Sequence, residues 1–275
     1  MNIGHHFFVR KINGVLQFLN VQQYEQRNTS TFNLIKQSDD KFNFKDFDWI
    51  LIYTDDRPLE IKTYENCKVF SYSTTTKKYD KAIPDFIFDK WVEVGIDDFE
   101  KVRSEIQQSS GISPKYNKIG WIGSGEHISP RKALVDISKE NQEKVDAKFL
   151  MWNRSNPNKL TSNDYLTLPE LVEKYKYLID VEGCGYSGRL KLLMSGRIVF
   201  IVERPFEEFF YRGLIPWHNY IPVKRDLSDL IENFNKIESD IGLQNEILRN
   251  GKLFAEKYLT RDSSLLQIKK IIDNL

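Results

Sequence analysis

The apolar runs of this chain are short, set apart by polar stretches, and each ends on a turn signal. Phe47-Asp48-Trp49-Ile50-Leu51-Ile52-Tyr53 predicts a buried strand. It stops at Thr54-Asp55-Asp56-Arg57-Pro58, where the proline prevents continuation. Cys67 to Tyr72 predicts the next strand, and after a loop containing Pro84 the stretch from Asp97 to Ser109 predicts a polar helix. Lys118 to Ile122 predicts a strand ending on Gly123-Ser124-Gly125. Ser129-Pro130 then supplies a helix cap and a first-turn proline ahead of Arg131-Lys132-Ala133-Leu134. Phe149-Leu150-Met151-Trp152 predicts another short buried strand. Thr167, with Glu170 three residues on, predicts a capping box for a helix through about Lys174.

The most regular stretch follows. Tyr177 to Val181 predicts a strand, Glu182 to Tyr186 a glycine-bearing turn, and Ser187 to Met194 a short helix stopped by Gly196. Ile198 to Val202 predicts the next strand. Strands alternating with helices imply a parallel sheet and an α/β class. From Asp226 onward the period is helical, with Gly242 and Gly251 read as interruptions. Residues 1–47 mix short apolar runs with polar stretches and read as short strands or helices joined by loops.

Composition narrows the function classes. A length of 275 residues suits one large domain or two modest ones, and 40% hydrophobic with 29% charged residues argues against disorder. Lys+Arg 40 against Asp+Glu 39 leaves no basic excess for a polyanion, which argues against a general nucleic-acid-binding role. An aromatic share of 13% can build a core and line a ligand cleft. Cys67 and Cys184 are too few for a disulfide-built fold or a structural zinc site. His5, His6, His127 and His218 form no cluster at metal spacing, and His5-His6 reads as tag-like or plain surface. No apolar run approaches the roughly 20 residues of a membrane span. The first residues lack the secretory-signal pattern. The expectation is a soluble protein of a reducing compartment, with no metal.

The glycine turn carries the candidate chemistry. Gly183-Cys184-Gly185-Tyr186-Ser187-Gly188 matches G-x-G-x-x-G between a strand and a helix, and Glu203 stands 20 positions after Gly183. Literally taken, that is the dinucleotide fingerprint, and it keeps an NAD enzyme, or a methyltransferase relative, among the readings. Against it, only 87 residues follow Gly188, whereas the fingerprint lies on the first strand of such a domain. Arg189 and Lys191 are also not required by it. Whatever the ligand, free amides at a helix N-terminus beside a guanidinium would make a diphosphate site. A plain strand-turn-helix with glycines chosen for the turn also fits.

From Tyr175 onward a series of motifs stands in order: Tyr175-Lys176-Tyr177, Ser187-Gly188-Arg189, Glu208-Phe209-Phe210, Pro216-Trp217, Tyr220-Ile221-Pro222-Val223 and Asp226-Leu227-Ser228-Asp229-Leu230. The series resembles the CAP10 and protein O-glucosyltransferase (Rumi-like) family, glycosyltransferase family ninety. Upstream, Trp121-Ile122-Gly123-Ser124 with Arg131-Lys132-Ala133-Leu134 is similar to the family's Gly-Ser stretch and arginine-bearing helix. Ile52 to Pro58 is similar to its strand ending in Asp-aromatic-Pro. The resemblance covers roughly residues 45–260. It departs at Ile122 and Gly125, where arginines are common, at Arg57 in place of an aromatic, and at the order His218-Asn219-Tyr220. The terminal Ile272-Asp273-Asn274-Leu275 is not a retention tetrapeptide.

The resemblance implies an inverting, metal-independent transfer from a UDP-sugar, UDP-glucose or UDP-xylose, within a GT-B type α/β fold of two Rossmann-like lobes and a cleft between them. Residues 1–105 would form the acceptor-side lobe with the catalytic base. Residues 106–275 would form the nucleotide-sugar lobe, its terminal helices packing back on the first. By the match Asp56 is the base, at the carboxyl end of a strand where open α/β sheets bind ligands. Turn chemistry ahead of Pro58 is its bland alternative, and Asp55 is the neighbour most easily mistaken for it. Gly123, Ser124, Gly183, Cys184, Gly185, Tyr186, Ser187, Gly188 and Arg189 would hold the donor, with Arg131 a second cation. Glu208 would bind ribose hydroxyls, or serve as a first-turn helix acid. Asp55, His127 and His218 are further candidates for acceptor or donor contact, and Trp217 for core packing. The acceptor would be a glycan hydroxyl, of a lipopolysaccharide, capsule chain or glycoprotein, which places the chain in polysaccharide biosynthesis. Cytoplasmic localisation, a bacterial or viral source and peripheral membrane contact complete that expectation. A catalytically silent sugar- or nucleotide-binding module is the reading from another class.

Overall fold

Alternating apolar positions on either side of Asn13-Gly14 fold the N-terminal segment into a hairpin of β1 (His6–Ile12) and β2 (Val15–Val21). Both turn residues are left-handed, at φ 52° and 75°, the geometry that a two-residue hairpin turn demands. Asp46 accepts hydrogen bonds from both of their amides, at 2.6 and 3.0 Å. The computed structural model describes residues 5–21, 25–125, 127–150, 152–153, 156–160 and 165–275.

Helix α1 (Glu25–Phe42) leads to β3 (Phe47–Tyr53), then β4 (Thr63–Tyr64) and β5 (Cys67–Ser71). These strands form a five-stranded sheet in the order β2-β1-β3-β5-β4, with β3 antiparallel to β1 and parallel to β5. His6 lies in β1 and is buried, its ring edge-on to Phe8 and Tyr64, so it is neither tag-like nor surface.

Helix α2 (Phe99–Ser110) is capped by Asp98 and leads to β6 (Tyr116–Gly123), α3 (Ser129–Glu140) and β7 (Val145–Phe149). A small ladder of β8 (Trp152–Asn153) and β9 (Asn156–Leu160) precedes α4 (Leu168–Lys174), β10 (Tyr175–Asp180) and α5 (Leu190–Leu193). Then come β11 (Ile198–Val202), β12 (Ile221–Val223), α6 (Leu230–Glu238), α7 (Ile241–Tyr258) and α8 (Arg261–Asp273). The second five-stranded sheet is wholly parallel, in the order β12-β11-β10-β6-β7. In chain order that is 2-1-3-4-5, so the winding reverses between β6 and β10, the switch point where such sheets bind ligands.

One apolar cluster joins the two sheets, running from Phe7, Leu34 and Ile52 through Phe86, Phe88 and Phe99 to Leu190, Val199 and Ile268. A second covers the other face of the parallel sheet, around Trp121, Tyr177, Phe200 and Phe234. Helix α8 packs on α1, where Ser38 donates to the Leu265 carbonyl at 2.8 Å and Lys41 pairs with Asp262. Among the described residues, no helix is long and apolar enough to cross a membrane.

Four local expectations need correction. The strand expected at Phe149–Trp152 ends at Phe149, because Val145 and Ala147 bury the core face of β7 and the chain leaves the sheet at Leu150. Met151 lies outside the described residues. Ser129 is the first helical residue of α3 rather than its cap, and Ile128 before it makes no side-chain cap bond. The helix expected from Ser187 is the single turn α5, since the residues before Leu190 are drawn into loop contacts. Gly242 and Gly251 lie inside α7. The break comes before it, where Asp240 caps the helix by accepting from the Leu243 amide at 2.9 Å, and Gly251 lets the helix approach the Asn219 carbonyl.

The capping box at Thr167 is present, with the Glu170 carboxylate accepting from the Thr167 amide at 2.7 Å and the Thr167 hydroxyl from the Glu170 amide at 3.4 Å. Replacing Thr167 by alanine is expected to lower stability by about 1 kcal/mol in a urea titration.

Candidate active site

The loops at the carboxyl ends of β3, β6, β7 and β10 open on a single crevice of about 560 Å³. Asp56 enters it after β3, Ile122 to Gly125 from the end of β6, Leu150 after β7, and Gly183, Cys184 and Tyr186 to Arg189 after β10. Arg131 from α3 and Arg27 from α1 complete its polar wall, while Phe86, Ile87, Trp91, Val94 and Ile96 form an apolar one. The site therefore draws on both sheets.

Gly185 explains how the loops meet. A carbon built at its Cβ position would sit 1.8 Å from the Asp56 carbonyl oxygen, so only glycine allows this approach. The Tyr186 amide donates to that same oxygen at 3.3 Å, and Arg57 Nε donates to the Cys184 carbonyl at 2.8 Å. Gly188 is equally enclosed, its Cβ position 2.4 Å from Ile87 and 3.0 Å from Trp91. These contacts do not fit a dinucleotide site, whose middle glycine must face a pyrophosphate. Here protein backbone occupies that place, Glu203 is outside the crevice lining, and the following helix is one turn long. Of the turn residues expected to hold the donor, Tyr186 has its amide committed to the Asp56 carbonyl and Gly185 is outside the crevice lining.

The cations are held from beneath. Arg131 donates from Nε to the Glu182 carbonyl at 2.8 Å and from Nη1 to the Ser124 carbonyl at 2.6 Å, which ties the β6 and β10 loops together. Arg189 Nη1 donates to the Ile122 carbonyl at 2.5 Å, while its buried Nη2 has no hydrogen-bond partner among the described residues. Both guanidinium carbons lie over the Trp121 ring, at 5.7 and 5.4 Å from its centre. Burial pulls Arg189 down to about 10; Asp180 opposes the shift, and Arg131 and Arg204 add to it. It stays charged at neutral pH. Ser187 donates its hydroxyl to Asp180 at 2.5 Å, and Arg204 pairs with the other oxygen of Asp180 at 2.7 Å. Ser187 therefore anchors the turn, with no O–H left for a phosphate.

Asp56 Oδ1 accepts from Arg27 Nη1 at 3.0 Å, and the Asp56 side chain is 36% exposed. Its Oδ2 has no hydrogen-bond partner among the described residues. Asp55 turns elsewhere: it accepts from the Asp56 amide at 2.6 Å and lies 3.9 Å from His5. It is outside the crevice lining, as is His218, whose ring meets Asn250 at 3.3 Å. His127 stands exposed at the rim. Glu208 is not at the crevice. It is buried against Lys191 at 2.8 Å, and Lys191 also binds Asp85 at 3.0 Å and the Gly188 carbonyl at 3.0 Å. Burial pushes the Glu208 carboxyl above its ordinary range despite the pull of Lys191, and its burial closes it to a ribose. Sequence reasoning missed Arg27, because a pair separated by 29 positions leaves no local pattern.

A Gly185→Ala change must force the Asp56 loop away. It is expected to cost about 1–3 kcal/mol of stability in a denaturant titration, whereas Cys184→Ala at the exposed neighbour stays within about 0.5 kcal/mol.

Comparison with known proteins adds an independent line. The description of "Glycosyl transferase family 90" matches residues 13–270. Protein O-glucosyltransferase 1 of Rattus norvegicus is 31% identical over 211 residues, covering 70% of this chain and 53% of that protein. O-glucosyltransferase rumi of Drosophila melanogaster is 28% identical over 212 residues, 70% of this chain and 50% of its own. The chain thus spans about half the length of these relatives. The C-terminal domain of a glycosyl transferase group 1 family protein (LpcC) from Francisella tularensis aligns at a TM-score of 0.35 with 14% identity. The alignment covers 57% of this chain and 93% of that one, a likeness too loose to carry weight.

Proposed function

This chain belongs to glycosyl transferase family 90, and on that premise we propose that it transfers a sugar from a UDP-sugar to a hydroxyl with inversion at the anomeric carbon. UDP-glucose is the first donor to try and UDP-xylose the second. The acceptor is a hydroxyl of a glycan or of a protein, and the relatives' names favour glucose. The two sheets act as the lobes of a GT-B type enzyme. One observation carries the reading: the Asp56 carboxylate and the Arg131 and Arg189 guanidinium groups line one crevice from separate elements of the chain.

Asp56 Oδ2 takes the proton of the acceptor hydroxyl as that oxygen attacks the anomeric carbon. The new carbon–oxygen bond forms on the face opposite the diphosphate. The old bond breaks with its electron pair moving to the departing UDP oxygen. Charge growing there meets Arg189, whose Nη2 is a buried donor without another partner among the described residues, and the nearby charge of Arg131. A guanidinium suits this role because its donors form a planar fork and it keeps its proton at neutral pH.

The test is UDP binding by calorimetry with release of glucose or xylose from the matching UDP-sugar, water standing in as acceptor. Asp56→Asn is expected to lower turnover about 100-fold or more with UDP still bound, and Arg189→Ala to cost about 100-fold. Absence of uridine nucleotide binding at millimolar concentration would overturn the donor assignment. A silent binding module would bind UDP and be indifferent to Asp56→Asn.

A further inference from the structure

We infer that Arg27 is the positioning residue of the catalytic base, a role that rests on the proposed assignment of Asp56. Arg27 comes from α1, in the stretch least legible in the sequence, and its side chain is 17% exposed. A single nitrogen, Nη1, spans the loop: it donates to Asp56 Oδ1 at 3.0 Å and to the Thr54 carbonyl at 3.3 Å. The cation therefore fixes both the backbone that leaves β3 and the carboxylate two residues on.

The helix itself is fastened to the same loop. Asn28 Oδ1 accepts from the Thr54 hydroxyl at 3.0 Å, buried between them. Thr31 donates to the Arg27 carbonyl at 2.8 Å and lies 2.7 Å from the buried Tyr72 hydroxyl. Phe86 packs under the guanidinium, its ring centre 5.1 Å from the central carbon. Rotamer freedom at Arg27 is thus removed before any substrate arrives.

The contact has one donor and one acceptor oxygen. A forked pair would engage both oxygens of Asp56, whereas this arrangement holds Oδ1 and leaves Oδ2 for the incoming hydroxyl. Arginine also suits the task because it cannot take the proton itself. Arg27 aims the base and keeps its proton-accepting oxygen toward the crevice.

A double-mutant cycle tests this, reading UDP-glucose hydrolysis for turnover and calorimetry with UDP for binding. Arg27→Gln is expected to lower kcat roughly tenfold to hundredfold while UDP affinity stays within about twofold, and Arg27→Lys to recover part of the loss. In an Asp56→Asn background Arg27→Gln is expected to have no further effect, since residues acting as one unit are not additive. If the glutamine variant fails to fold, Arg27→Lys runs through the same cycle with a smaller expected loss. Equal losses in both backgrounds, unchanged hydrolysis, or a matching loss of UDP affinity would each overturn the role. Full hydrolysis by Asp56→Asn alone would instead remove the base assignment, and this inference with it.

Discussion

Backbone meets backbone where the β10 loop crosses the Asp56 loop, and the absence of a side chain at Gly185 makes that possible. The Asp56 carbonyl lies where a Cβ would stand, and the Tyr186 amide turns toward it. The crossing sets where Asp56 stands relative to the β10 turn. On one side Asp56 continues into the Arg27 contact, and on the other Ser187 and Arg189 continue into the base of the parallel sheet. A substitution that parts the two loops separates a carboxylate from two guanidinium groups that lie far from it in sequence.

Beneath the crossing, charge is buried at considerable desolvation cost, and the arrangement of partners offsets it. Asp180 faces Ser187 and Arg204 and lies within the field of Arg131 and Arg189, so the cations outnumber it. A surplus of fixed positive charge in a site of low dielectric suits an anionic ligand better than a neutral one. Lys191 balances this from the other side, joining Asp85, Glu208 and the Gly188 carbonyl. Removing one member of such a buried group is far more damaging than replacing an exposed ion pair, because the others lose their compensation. Trp121 serves as a rigid floor under both crevice arginines.

Much of the fold was legible where a local rule governs it. Phe47 to Tyr53 reads as a strand because its apolar run is bounded by a turn with proline, and Thr167 with Glu170 reads as a cap because both bonds are local. The Asn13-Gly14 hairpin carried a local signal as well, in the turn pair between apolar runs, that a reading by runs alone passes over. The G-x-G-x-x-G pattern showed that the backbone needs room at this turn but not what fills it. A pyrophosphate and a neighbouring carbonyl impose the same demand for glycine. Glu208 and Arg27 were illegible for one shared reason: their partners are Lys191 and Asp56, brought near only by the tertiary fold. No spacing rule reports that one acid is buried with a lysine while the other faces solvent and a guanidinium.

The most direct test of the account is the position of bound UDP in a crystal of the protein grown with that nucleotide. The account predicts the diphosphate within hydrogen-bonding distance of the Arg189 guanidinium, its terminal phosphate pointing along the crevice toward Asp56. Nucleotide bound elsewhere, or with its phosphates turned away from Arg189, would contradict it.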